Sequence, residues 1–97
     1  MLPRMAPYLA PEVTAGSMPS QQSDIFAVGV LLYEMLAGRK PFQSESTAEL
    51  ARAHSQDAPP SLVDRNKTVP IPLEQIVKKA MSKNPAERYQ SAAEMLE

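Results

Sequence analysis

Cysteine and tryptophan are both absent from this chain, histidine occurs once and glycine three times. Without cysteine there is no disulfide framework and no thiolate metal site, and a reducing compartment is compatible. His54 cannot form a metal site alone. No apolar run reaches the ~18 residues that a membrane span requires. No basic region at the N-terminus leads into an apolar block with a small-residue cleavage site, so no secretory signal is visible. A basic excess is also missing. The formal net charge is -1, which argues against a dedicated nucleic-acid binder. Lys78, Lys79 and Lys83 form a small basic cluster that reads as a solvated helix face.

What is present suits one small domain or part of a larger one. The chain has 97 residues, of which 43% are hydrophobic and 22% charged, ordinary values for a globular protein with a modest core. Pro3, Pro7, Pro11 and Pro19 fall in the first twenty residues, so this stretch reads as a loop with at most one helical turn after Pro11. Ser23 or Asp24 then offers a helix cap. From Ile25 to Leu36 the apolar positions run nearly all the way round a helix, which predicts burial on most sides. Gly38 ends that helix and Pro41 prevents its resumption. A second helix is predicted from about Ser46 to His54. Ser46 is its cap, Glu49 completes a capping box, and Leu50 and Ala53 form its apolar side. Residues 55 to 71 read as a connecting loop. A third helix is predicted from Pro72 or Leu73 to Ser82, with Leu73, Ile76, Val77, Ala80 and Met81 on one face. Asn84-Pro85 breaks it, and a last helix starts near Ser91. Met35, Met81 and Met95 sit at helical core spacing and read as packing residues. No stretch alternates as a strand does. The expected fold is all-α: about four helices behind a proline-rich N-terminal loop.

Several short segments follow one another in a telling order. They are Tyr8-Leu9-Ala10-Pro11-Glu12, Asp24-Ile25-Phe26-Ala27-Val28-Gly29, Tyr33-Glu34-Met35-Leu36-Ala37-Gly38-Arg39-Lys40-Pro41-Phe42, Pro59-Pro60-Ser61, Ile76-Val77-Lys78-Lys79-Ala80-Met81 and Asn84-Pro85-Ala86-Glu87-Arg88-Tyr89. Alone, Ala10-Pro11-Glu12 is a proline turn that recurs by chance. Together the segments resemble the C-terminal part of the large lobe of the bacterial, eukaryotic-like serine/threonine protein kinases, over essentially the whole chain. The resemblance implies that Glu12 ends the activation segment and pairs with Arg88, far along the chain. A guanidinium presents a rigid fork suited to a carboxylate. It implies that Asp24 begins the central buried helix, where its carboxylate would accept hydrogen bonds from the catalytic loop; with that loop absent, capping is the role left to it. It implies close packing of another backbone at Gly29. Arg4 to Leu9 would receive the substrate residue after the phosphorylated one, which assigns Met5, Tyr8 and Leu9 to substrate binding. Arg4-Met5 stand where the family commonly has Gly-Thr, and methionine cannot make that threonine's hydrogen bonds.

Phosphoryl transfer also needs a cover for the phosphates, a lysine on them, magnesium ligands and a base. Gly16, Gly29 and Gly38 are too far apart for a glycine-rich loop. His54 is followed by Ser55 and Gln56, and neither Phe26 nor Phe42 follows an aspartate. Residues 1–97 are thus expected to be a partial kinase domain, with the N-lobe, catalytic loop and magnesium motif absent. No residue is expected to be catalytic, cofactor-binding or metal-binding. ATP and Mg2+ would belong to the parent enzyme, which would phosphorylate protein serine or threonine, while this chain alone would be inactive. The expected partners are a protein substrate and the remainder of the kinase domain, in the cytoplasm. The competing expectation is a non-catalytic kinase-like helical module that docks a partner near residues 43 to 62.

Overall fold

A computed structural model describes residues 8–42 and 46–96. It contains six α-helices, α1 Pro11–Thr14, α2 Gln21–Ala37, α3 Thr47–Gln56, α4 Leu62–Arg65, α5 Ile71–Ala80 and α6 Ala92–Leu96, with a 3₁₀ turn at Pro85–Glu87 between the last two. The fold is all-α, with no strand among the described residues. No helix among them is long and apolar enough to cross a membrane.

The long helix α2 is the axis of the molecule. Its cap is Ser20, not Ser23 or Asp24. Ser20 Oγ accepts from the Ser23 amide at 3.1 Å, and Ser23 Oγ accepts from the Ser20 amide at 2.7 Å. This reciprocal pair moves the start of the helix a turn upstream and leaves Asp24 exposed in the first turn. Gly38 closes the helix in the left-handed conformation at φ 78°, donating its amide to the Glu34 carbonyl.

One side of α2 carries the core. Phe26, Val30 and Tyr33 are buried and meet Leu50 and Ala53 of α3, Leu62 of α4, Val77 of α5 and Met81 just after it. The opposite side is left exposed among the described residues, contrary to the expected burial on most sides. Val28, Leu31 and Met35 follow one another along it at helical spacing, exposed by 43%, 48% and 70%. Met35 is therefore not a packing residue here. Met81, by contrast, is buried.

The connection from 55 to 71 is more ordered than a loop reading allows. Ser61 Oγ caps α4, which is too short to show a period. Long-range bonds hold the segment to the end of α2. Tyr33 Oη donates to the Pro60 carbonyl at 2.7 Å, Arg65 donates to the Lys40 carbonyl at 3.0 Å, and Asn66 donates to the Leu36 carbonyl at 2.8 Å. The last of these satisfies a carbonyl that the helix end leaves without a partner. Glu74 of α5 accepts from Ser61 Oγ and the Val63 amide at 2.9 and 3.0 Å.

Candidate functional site

Residues 8 to 12 form a strap alongside the helices, fastened at successive points to different elements. The firmest fastening is Glu12 to Arg88. Asn84 accepts from the Ala86 amide and starts the 3₁₀ turn, after which Arg88 is extended and its side chain turns inward. That side chain is fully buried. A guanidinium has five N–H donors, and each finds an acceptor. Nη1 donates to Glu12 Oε2 at 2.6 Å and to the Gln22 carbonyl at 3.1 Å. Nη2 donates to Glu12 Oε1 at 2.9 Å and to the Lys83 carbonyl at 3.3 Å, and Nε donates to the Ser82 carbonyl at 2.7 Å. The guanidinium Cζ lies over the Phe26 ring, 4.9 Å from the ring centroid. Burial works against the Glu12 carboxylate, but hydrogen bonds from Arg88 and from its own backbone amide outweigh it and hold the group below its ordinary range.

At the other end of the strap, Tyr8 Oη donates to Glu34 Oε1 on α2. Lys40 completes the group, 3.2 Å from Glu34 and over the Tyr8 ring at 5.9 Å. The hydrogen bond to Glu34 raises the Tyr8 phenol, and the same bond lowers the Glu34 carboxylate. Between these ends, the Leu9 carbonyl lies 2.6 Å from His54 Nδ1 on α3. His54 is fully buried between the rings of Phe26 and Phe42, whose centroids are 5.4 and 5.3 Å away. The carbonyl only accepts, so Nδ1 carries the hydrogen. Burial lowers the imidazole pKa, the Leu9 carbonyl opposes this, and the Lys83 ammonium adds to the lowering.

Of the residues singled out from sequence, the structure brings Tyr8, Leu9, Glu12 and Arg88 into this one arrangement. Met5 lies outside the described residues. Asp24 stands exposed in the first turn of α2, and Gly29 faces α5. A Cβ on Gly29 would stand 2.9 Å from both Ala80 Cβ and Met81 Cγ, so the glycine lets α5 approach α2. Sequence reasoning missed His54, whose polarity hid it on an otherwise apolar helix face. It also misassigned Lys83. That ammonium is not on a solvated face with Lys78 and Lys79 but half-buried, over the Phe42 ring at 4.9 Å and 3.3 Å from the Ala53 carbonyl. Burial pushes it down to about 8, with Asp57 opposing and Arg88 assisting. Among the described residues, no group of three or more histidine, cysteine, aspartate or glutamate side chains could hold a metal.

A short proline-flanked segment, tied down by a buried arginine at the far end of the chain, is a device for fixing backbone rather than for moving protons. The protein kinase domain profile matches residues 5–97. The chain belongs to the protein kinase domain family. Among curated proteins it is 42% identical to a probable serine/threonine-protein kinase PknB of Lactococcus lactis over 89 residues, which are 92% of this chain and 14% of that protein. It is 42% identical to the serine/threonine-protein kinase PrkC of Bacillus subtilis over 88 residues, 91% of this chain and 14% of that protein. With the PknB of Mycobacterium leprae the identity is 39% over 90 residues, again 14% of the relative. The chain therefore spans about one seventh of the length of these kinases.

Proposed function

We propose that these residues are the substrate-binding segment and helical base of a serine/threonine protein kinase. The complete domain would transfer the γ-phosphoryl group of ATP to a serine or threonine hydroxyl of a protein, with magnesium supplied by residues outside this chain. The observation that carries the reading is the pair of the buried, fully satisfied Arg88 with the half-buried Glu12, which fixes residues 8 to 12 onto the base. Positioning and electrostatic stabilisation make up nearly all of phosphoryl-transfer catalysis, and a fixed segment would present the acceptor in register. Tyr8 and Leu9 line that segment, and Met5 would extend it.

The residues that would cradle phosphates, hold magnesium or act as the base are not among these 97, so the chain alone is assigned no transfer and no useful ATP binding. The exposed Val28, Leu31 and Met35 stripe is the surface on which the remainder of the kinase domain would sit. The reading assigns the domain to the cytoplasm, where ATP is held, and the lack of cysteine is compatible with that.

The test compares two proteins: residues 1–97 alone, and the same residues within a complete kinase domain. Radiolabelled γ-phosphate should pass to serine or threonine of a protein substrate only with the second, and magnesium-ATP should give no low-micromolar calorimetric binding to the first. Transfer by residues 1–97, or phosphotyrosine as the product, would count against the assignment.

A further inference from the structure

The strap has few backbone means of holding itself. Pro11 has no amide hydrogen, and the Ala10 carbonyl is occupied by the Val13 and Thr14 amides that begin α1. Tyr8 is fastened through its phenol and Glu12 through its carboxylate. Between them the Leu9–Ala10 peptide unit is held by His54 Nδ1–H at 2.6 Å.

His54 is an unusual choice for the place it occupies. Its ring fills an apolar slot between Phe26 and Phe42, which a phenyl ring would also fill. Its second nitrogen, Nε2, is buried and has no hydrogen-bond partner among the described residues. A polar ring in such a slot leaves one atom unsatisfied, and that is unfavourable unless its other nitrogen does something an apolar ring cannot. The charged group that acts on it is a cation, the Lys83 ammonium on the Ala53 carbonyl, while the nearby Arg88 over Phe26 is paired with Glu12. The ring is therefore kept neutral and in a single tautomer, with its one hydrogen on Leu9.

We infer that His54 is a positioning residue for protein-substrate binding: through the Leu9 carbonyl it fixes the middle of the strap to α3, and so sets how tightly the substrate is held. It touches neither ATP nor the reacting atoms. The inference rests on the proposed reading of residues 8 and 9 as substrate-binding.

The test uses the full-length protein with two substitutions. His54→Phe keeps the ring and removes the donor. His54→Asn offers an amide nitrogen where Nδ1 stands. Initial rates are measured against peptide substrate and, separately, against ATP, and hydrogen exchange is followed at the Leu9 and Ala10 amides. For His54→Phe the peptide KM should rise roughly three- to tenfold, as loss of one hydrogen bond implies. Its kcat and ATP KM should stay near wild type, and exchange at Leu9 and Ala10 should quicken. His54→Asn should recover most of both effects. Unchanged peptide KM and exchange in His54→Phe overturn the inference. So does a parallel rise in both KM values that asparagine fails to reverse, because that is the signature of general loosening. A wild-type protein that transfers no phosphate overturns the parent reading instead. Exchange then decides the His54–Leu9 link alone, a rise supporting it and no rise overturning it.

Discussion

Arg88 shows why one side chain can govern a distant segment. Its five N–H groups have five acceptors, so removing it strands the Glu12 carboxylate together with three backbone carbonyls. Breaking one partner out of a fully buried pair costs about 3–5 kcal/mol, and the lower end applies here because the Glu12 carboxylate is 19% exposed. Arg88→Met should therefore lower the unfolding free energy by an amount of that order in urea titrations. Arg88→Lys should recover little, since a lysine ammonium cannot reproduce the planar fork. The same residues set the response to acid. Both His54 and Glu12 have pKa values lowered by folding, so on acidification the unfolded chain binds protons first and stability falls. The His54 contribution is complete above its ordinary 6.5 and is lost as pH drops towards the lowered value. Glu12 repeats this below its ordinary 4.5, together with Glu34, Glu49 and Glu74, which folding also lowers. Thermal melts between pH 7.5 and 3 should show two stages of decline, and His54→Phe should abolish the upper one.

At the scale of elements, α2 and α5 are as close as they are because of Gly29. Gly29→Ala would gain up to ~1 kcal/mol of helix propensity. Its new methyl group would meet Ala80 Cβ at 2.9 Å, and neither of those two atoms can rotate away. Overpacking of this kind costs typically 1–3 kcal/mol, so a net loss of about 1–2 kcal/mol is expected by chemical denaturation. Elements with local signals were legible in the sequence. Gly38 as a helix stop, Ser46 as the cap of α3 and the apolar face of α5 all follow from residues within one or two turns. Other features depend on distant partners and were not. The start of α2 was placed too late because Ser23 and Asp24 are also good caps, and only the mutual bonding of Ser20 and Ser23 separates them. The helix α4 is held by bonds to Leu36, Lys40 and Glu74, none of which a short window contains. The Glu12–Arg88 pair was expected only through family resemblance, since two charges so far apart in sequence show no periodicity.

For the molecule as a whole, the uncovered side of α2 has the largest consequences. Val28, Leu31 and Met35 present a continuous apolar face, and such a face marks an interface or a liability to associate. Residues 1–97 in isolation should self-associate as concentration rises, detectable by sedimentation. Replacing Leu31 and Met35 together by glutamine should shift the isolated chain towards monomer. The same double substitution in a complete kinase domain should lower its melting temperature, because there the face would be covered. Loss of association without loss of stability in the complete domain would mean that nothing seats on this side of α2.

The 76-residue separation between Glu12 and Arg88 also has a consequence in time. Ribosomes add about 5–20 residues per second, so the carboxylate emerges roughly 4–15 s before the arginine that clasps it. During that interval the nascent strap has no anchor at its Glu12 end, and it is locked only by a residue translated seconds after it.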